Sequence, residues 1–267
     1  MQQRLFQKTP ESLTFSSPKL ITFTGGGGKT SIMFWLASAF TETGKRVITT
    51  TTTKIFPPDS GNLILRENCS SFHDEIVTAL NGNSSVTVAQ RFDNASGKLI
   101  GIDTKTLSAL HQAGIADTIL VEGDGAARKP LKAPAHHEPV IPEETDLCIG
   151  VMGLDSVYRP LCDSIVHRHE IFSRITGLSF GEFITPAHLI TLAESKHGLF
   201  KNCPNTCNKH IFLNKIDIPD GKDIAANFAD ALIQHQKDIN IDWFATSAKK
   251  KQIFFVSHEM PKIRVAP

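Results

Sequence analysis

The 267-residue chain carries 28 lysines and arginines against 27 aspartates and glutamates, a formal net charge of +1. That balance excludes a general nucleic-acid or membrane surface, though it leaves room for local patches. The length suits one large α/β domain, which at this size needs no disulfide or structural metal for its stability. The five cysteines (Cys69, Cys148, Cys162, Cys203 and Cys207) are odd in number and scattered, unlike a disulfide framework.

Residues 1–18 are polar and proline-punctuated and read as a short helix or loose lead-in, so the domain is expected over 19–267. They have no apolar signal core, and no stretch nears the ~18 apolar residues of a membrane span. The expectation is a cytoplasmic protein with no membrane or nucleic-acid partner.

From Lys19 to Phe56 the order is strand, glycine loop, helix, strand, the βαβ unit of a phosphate-binding fold. Leu20 to Phe23 is a short buried strand. Gly25, Gly26, Gly27 and Gly28 carry no Cβ, so successive N–H groups can curl around phosphate oxygens. A helix beginning near Lys29 adds the positive end of its dipole. Lys29 would reach the terminal phosphates, and the hydroxyl of Thr30 or Ser31 would hold Mg²⁺. The common pattern G-x-x-x-x-G-K-[ST] is not met, because Phe23 stands where its first glycine belongs. The shorter T-G-x-x-G-K-[TS] fits Thr24 to Thr30 and resembles the loop of the Mur-type ligases. Ile32, Trp35, Leu36, Ala39 and Phe40 give the helix one apolar face, and Gly44 ends it.

Val47 to Thr52 reads as a β-branched strand whose carboxyl end faces the same crevice, with Thr52, Thr53 and Lys54 as candidate contacts to phosphate or metal. Strands at 62–66 and 85–90 flank a helix near 71–80. A strand-turn-strand pattern centres on Asn94 to Gly97, and a helix runs from the N-cap Asp103 to Gly114. Thr118 to Val121 is a buried strand with Glu122 and Asp124 at its end, where Mg²⁺-directed acids are needed. VEGDG resembles the VEGxG strand endings of the dethiobiotin synthetase and MobB group. Arg128, Lys129 and Lys132 follow in a basic loop suited to offsetting a transferring phosphoryl group or holding an anionic substrate. Lys29, Glu122, Asp124 and Arg128 make up the candidate catalytic set.

Residues 146–153 form another strand. The chain then turns helical over 154–200, which reads as an insertion, with Thr185-Pro186 starting one helix. Strand, helix and strand return at 210–217, 223–236 and 242–250, and 252–257 reads as a last strand. Asn214-Lys215-Ile216-Asp217 fits the N-K-x-D motif of GTPases, and Thr246-Ser247-Ala248-Lys249 their S-A-K. Guanine offers N1–H and N2–H₂ donors that the Asp217 carboxylate can accept together, and adenine has no such donor pair. Cys203 and Cys207, with Cys162 or His210, have a spacing that a soft metal permits, but two free thiols in a loop are the preferred reading. The clusters at His136 to Glu138 and His167 to Glu170 are candidate substrate-side groups.

Together these stretches resemble the YqeC family, accessory proteins of selenium-dependent molybdenum hydroxylases. The resemblance rests on TGGGGKTS (24–31), TTTTKIF (50–56), LVEGDGAARKPLKAPAHHEPVIP (120–142), GLDSVYRPL (153–161), VHRHEIF (166–172), GEFITPAHL (181–189) and FLNKID (212–217). Two positions depart from the family pattern. Gly123 stands in E-A-D-G, and His169 replaces a proline.

The expected fold is an α/β domain of P-loop NTPase type: a mostly parallel sheet, helices on both faces and a helical insertion. The motifs point to GTP or ATP with Mg²⁺. The resemblance implies a role in maturing or inserting a selenium-containing molybdenum cofactor, with a molybdopterin-type compound and a molybdenum hydroxylase as partners. The chemistry would be slow NTP hydrolysis or phosphoryl transfer. The alternatives are a nucleotide-switched carrier and a Mur-like ligase.

Overall fold

The sequence alternates strand and helix, and the fold follows it. In the computed structural model, which describes residues 5–10, 19–235 and 240–256, the chain opens with β1 (Leu5–Lys8), β2 (Leu20–Gly25), α1 (Lys29–Glu42), β3 (Val47–Thr51) and β4 (Lys54–Ile55). Next come β5 (Asn62–Leu65), α2 (Phe72–Asn83), β6 (Ser85–Ala89), β7 (Arg91–Asp93), β8 (Lys98–Ile100) and α3 (Thr104–Ala113). The middle holds β9 (Thr118–Glu122), β10 (Leu131–Lys132), β11 (Leu147–Gly153) and β12 (Val166–His167). The rest is α4 (His169–Thr176), α5 (Pro186–Glu194), β13 (Asn208–Asn214), α6 (Gly221–His235), β14 (Asp242–Ser247) and β15 (Gln252–Val256).

Ten strands form one sheet in the order β1-β15-β14-β13-β11-β2-β9-β3-β6-β5. From β14 to β5 every neighbouring pair is parallel, and β15 and β1 extend that edge antiparallel. The central strands are apolar on both sides because both faces are covered. Ile21, Phe23, Leu120, Ile149 and Val151 pack with α1 on one face. On the other, Leu20, Ile48, Ile119 and Val121 pack with α2 and α3 residues, and Cys148, Met152, Ile211 and Trp243 with residues of α4, α5 and α6. No helix among the described residues is long and apolar enough to cross a membrane.

The chain leaves β2 for β3, returns to place β9 between them, and then sets β11 on the other flank of β2. This reversal of direction opens a crevice at the carboxyl ends of β2, β9 and β11, the usual ligand position in such sheets. Between β11 and β13 no strand of the large sheet occurs, and α4 and α5 lie there.

One expectation fails at the N-terminus. The lead-in is an edge strand at Leu5–Lys8, with Leu5 opposite Val256. Four residues are too few to display a period of two, and the exposed edge of β15 supplies the pairing that the local sequence does not announce. Residues 1–4 and 11–18 of the lead-in, together with Gln236 of the 223–236 helix and Ser257 of the last strand, lie outside the described residues. The strand-turn-strand expected around Asn94 to Gly97 is the antiparallel pair β7-β8, which the two-residue β4 joins as the small sheet β4-β8-β7. A second small sheet, β10-β12, was not evident in the sequence, and both its strands have two residues.

Candidate functional site

The loop between β2 and α1 is built by close backbone approach. Gly25 has φ +92° and Gly27 φ +78°, values that disfavour any residue with a Cβ. A Cβ on Gly25 would lie 2.4 Å from the Val151 carbonyl oxygen, and one on Gly27 only 2.3 Å from the Gly153 nitrogen. The glycines therefore let the loop lie against the end of β11. That contact uses some of the amides expected to cradle phosphate. Gly26 N–H donates to the Val151 carbonyl, Gly27 N–H to that of Lys129, and Gly25 N–H to Asp124 Oδ2 at 3.3 Å. The first helical bond is from Ile32 N–H to the Gly28 carbonyl, so the amides of Lys29, Thr30 and Ser31 head the helix without intrahelical partners.

Lys29 is folded inward. Its Nζ donates to the Gly25 carbonyl at 2.6 Å and lies 3.2 Å from Asp124 Oδ1 and 3.6 Å from Glu122 Oε1. Burial alone would lower its pKa, but Asp124 first and Glu122 second hold the ammonium above its ordinary value. Thr30 Oγ1 donates to Glu122 Oε2 at 2.6 Å. Burial raises the Glu122 carboxyl above the usual range, against the opposing pull of Lys29 and Thr30.

The two acids expected to do the same work have different surroundings. Glu122 lines the cleft in front of the loop, whereas Asp124 is buried behind it. Asp124 sits between two ammonium groups, with Lys132 Nζ 2.9 Å from its Oδ2. Lys132, expected in a basic loop that offsets a transferring phosphoryl group or holds an anionic substrate, is instead fully buried. It also reaches Glu138 Oε2 at 2.7 Å and the Gly125 carbonyl at 2.6 Å. Glu138 in turn accepts from Arg168 Nη1 at 2.5 Å. The result is a chain of alternating charge from Arg168, just before α4, through Glu138, Lys132, Asp124 and Lys29 to Glu122 and the first turn of α1. It is self-neutral, and its Lys132 and Glu138 links are not visible in any local motif.

Two clefts flank the loop and share Gly27, Gly28, Ser31 and Lys215. One, of about 380 Å³, is also lined by Asn214, Asp217, Ile218, Ala248 and Lys249, so the N-K-x-D and S-A-K stretches meet there. Buried Asn214 joins them to the loop. Its Nδ2 donates to the Gly27 carbonyl at 2.8 Å, while its Oδ1 accepts from Thr246 Oγ1 at 3.3 Å and from the Ala248 amide at 3.2 Å. Lys215 pairs with Asp155 at 2.6 Å, a residue the sequence did not single out. The second cleft, of about 290 Å³, holds Lys29, Thr30, Glu122, Arg128, Lys129 and the side chains of Lys54, Phe56 and Lys98 from the small sheet region. Of the threonines at the end of β3, Thr51 and Thr52 bond to backbone carbonyls of Glu122 and Val140.

The sequence carries its own relationships. The model of the family described as "YqeC protein" matches residues 21–170. A protein of Escherichia coli strain K12, named Uncharacterized protein YqeC, is 32% identical over 228 residues, which cover 85% of this chain and 86% of that protein. The chain belongs to the YqeC family. The family match spans the glycine loop, Glu122, Asp124 and the charge chain as far as Arg168, and the relative's coverage is wider than the family model's.

Other candidates fall outside this site. Cys162 bonds to Ser164 at 3.1 Å, away from Cys203. Cys203 instead lies beside Cys148 and Cys207, and burial pushes the Cys148 thiol up. His210 faces Asp242 at 3.3 Å, and His169 faces Asp163 at 3.3 Å. Among the described residues, no group of three or more histidine, cysteine or acidic side chains is arranged to hold a metal ion by itself.

Proposed function

We propose that this YqeC-family protein binds a guanine nucleoside triphosphate together with Mg²⁺ and acts as a slow NTPase or phosphoryl-transfer protein of P-loop NTPase type. The observation that carries the reading is the position of Asn214, which ties the glycine loop to the cleft holding Asp217 and Lys249. In this reading the base enters that cleft, and Asp217 accepts from both guanine donors. The phosphates lie over the free amides of Lys29, Thr30 and Ser31, and Lys29 turns toward them from its two carboxylates.

Thr30 and Glu122 fit a Mg²⁺ ion, because a hydroxyl and a carboxylate oxygen converge within 2.6 Å at the head of α1, both of them hard donors. When bound, the ion would neutralise charge on the phosphate oxygens. Asp124 is a positioning residue here: it fixes the Gly25 amide and, before nucleotide enters, the Lys29 ammonium, rather than meeting the ligand.

The enclosed state of Lys29 favours a second reading, a nucleotide-switched carrier. Nucleotide entry would draw Lys29 off Asp124, and the charge chain would carry that change to Arg168 and α4. A role in maturing a selenium-containing molybdenum cofactor, with a molybdopterin-type compound or a molybdenum hydroxylase as partner, is supported by family membership alone.

Titration calorimetry with Mg²⁺ and GTP, GDP or ATP tests the proposal. It expects GTP and GDP to bind well above ATP. Absence of binding by every nucleotide overturns it, and a preference for ATP overturns the guanine assignment.

A further inference from the structure

If the base occupies the Asp217 cleft and the phosphates cross the head of α1, the terminal phosphate points into the second cleft. The cations of that cleft differ in how they are neutralised. Lys54 pairs with Asp93 at 3.2 Å, Lys129 with Asp163 at 3.3 Å and Lys215 with Asp155 at 2.6 Å, while Lys29 has its two acids. Lys98 and Arg128 have no carboxylate partner among the described residues. Both instead lie against one ring, that of Phe56, with Lys98 Nζ 4.9 Å and the Arg128 guanidinium 4.4 Å from its centroid.

Separate parts of the chain bring this about. In the small sheet Lys54 pairs with Ile100 and Ile55 with Leu99, and continuing that register places Phe56 opposite Lys98. Arg128 arrives from the loop after β9 through two successive residues of left-handed backbone, Ala127 at φ +49° and Arg128 at φ +61°. Side-chain-bearing residues adopt that conformation at a cost, and such strain gathers at functional sites. Phe56 is 38% exposed, large for an aromatic ring in a folded chain, and the negative face of the ring lowers the cost of holding two like charges together.

We propose that Lys98 and Arg128, ordered by Phe56, form a subsite for the dianionic phosphate group of a second, small-molecule substrate held in front of the nucleotide. Two uncompensated cations match a phosphate monoester, which carries close to two negative charges at neutral pH. A monocarboxylate would leave one cation unpaired. The arginine fork suits phosphate oxygens, and the lysine supplies a second point charge. This rests on the nucleotide reading for its place in front of the phosphates, but its binding test does not.

The test titrates phenyl phosphate into the full chain, with and without saturating Mg²⁺–GDP, beside benzoate as the monoanion. The comparison protein is the double variant Lys98→Gln, Arg128→Gln, with its fold checked by circular dichroism. Phenyl phosphate is expected to bind the GDP-loaded protein, benzoate much more weakly, and the double variant to lose at least about tenfold in phenyl phosphate affinity with GDP affinity unchanged. Equal phenyl phosphate affinity in the variant overturns the proposal. So does displacement of phenyl phosphate by GDP, which would give these cations to the nucleotide's own phosphates. Benzoate binding as tight as phenyl phosphate overturns the dianion class. If GDP does not bind but phenyl phosphate still depends on Lys98 and Arg128, the nucleotide reading falls and the anion subsite stands. If neither binds, both fall.

Discussion

Asn214 Nδ2 donates to the Gly27 carbonyl at 2.8 Å, a contact between residues 187 positions apart that is buried at the carboxyl ends of β2 and β13. The same amide accepts at Oδ1 from Thr246 and Ala248, so one side chain fixes a phosphate-type loop against a base-type cleft. Asn214→Ala takes a partner from the buried Gly27 carbonyl, the buried Thr246 hydroxyl and the part-buried Ala248 amide. The expected cost is about 1–3 kcal/mol of stability, with a parallel loss of nucleotide affinity. A urea midpoint equal to that of the wild type would remove Asn214 from this role.

Lys132 is held by Asp124 at 2.9 Å and Glu138 at 2.7 Å in a site closed to solvent. Lys132→Met keeps much of the volume but removes the cation between two buried carboxylates, leaving Asp124 to Lys29 alone and Glu138 to Arg168 alone. Breaking one member of a buried ion pair costs about 3–5 kcal/mol, and that loss is expected in denaturant titration. Removing Glu138 as well, in Lys132→Met with Glu138→Leu, is expected to recover part of it, because one unpaired charge goes with its partner. A fully additive double variant would show that the two side chains do not interact.

Acid sensitivity follows from the same chain. Burial alone would raise the Glu138 pKa, but hydrogen bonds from Lys132 and Arg168 bring it down from 4.5 to about 2. A depressed carboxyl stabilises the fold at pH values above its unfolded pKa. The contribution is lost as pH falls from about 4.5 through about 2. Glu122 runs the other way, since burial raises it, so on acidification it takes up a proton before ordinary glutamates do. Mg²⁺-dependent nucleotide binding is therefore expected to fail at a higher pH than the fold. Paired titrations of binding and ellipticity check the order, and Glu138→Gln is expected to flatten the stability curve below pH 4.5.

The glycine loop is intolerant for a steric reason. Gly27→Ala puts a Cβ 2.3 Å from the Gly153 nitrogen at φ +78°. A loss of at least about 2 kcal/mol is expected, with nucleotide binding reduced. Gly97, also at positive φ but with open space around it, is the control, and its alanine variant is expected to pay only the backbone strain. Equal losses at the two positions would remove the close approach to β11 as the cause.

Much of this architecture is legible locally. β2, α1, β3, β9 and β11 announce themselves by apolar runs, helical spacing and strand-end glycines, and the site loop lies at a junction between such elements. Asp103 caps α3 and Gly114 closes it, as their residue types require. What could not be read was set by partners distant in sequence. Lys132 looks like any loop lysine until Glu138 and Asp124 enclose it. Phe56 and Lys98 meet only because a two-residue strand pairs across 46 positions, Lys54 to Ile100, and onward. β1 exists because β15 offers it an edge. Asp124 resembles a metal ligand in the string VEGDG, yet the second lysine that turns it inward lies seven positions past the end of its own motif.

Asp217 provides the sharpest test of base choice. It lines the cleft beside Lys249 and Ala248, half-buried, where a carboxylate facing a base must find donors. Guanine presents two, so Asp217→Ala is expected to cut GTP affinity by roughly ten- to a hundredfold, the worth of a pair of charge-assisted bonds, while leaving the weaker ATP affinity alone. Asp217→Asn makes the stronger prediction. Xanthine carries a carbonyl where guanine has its N2 amino group, so the asparagine amide can donate to it, and preference is expected to pass from GTP to XTP. A variant that loses GTP without gaining XTP would mean that Asp217 shapes the cleft rather than reading the base. Unchanged GTP affinity in both variants would move the base out of this cleft altogether.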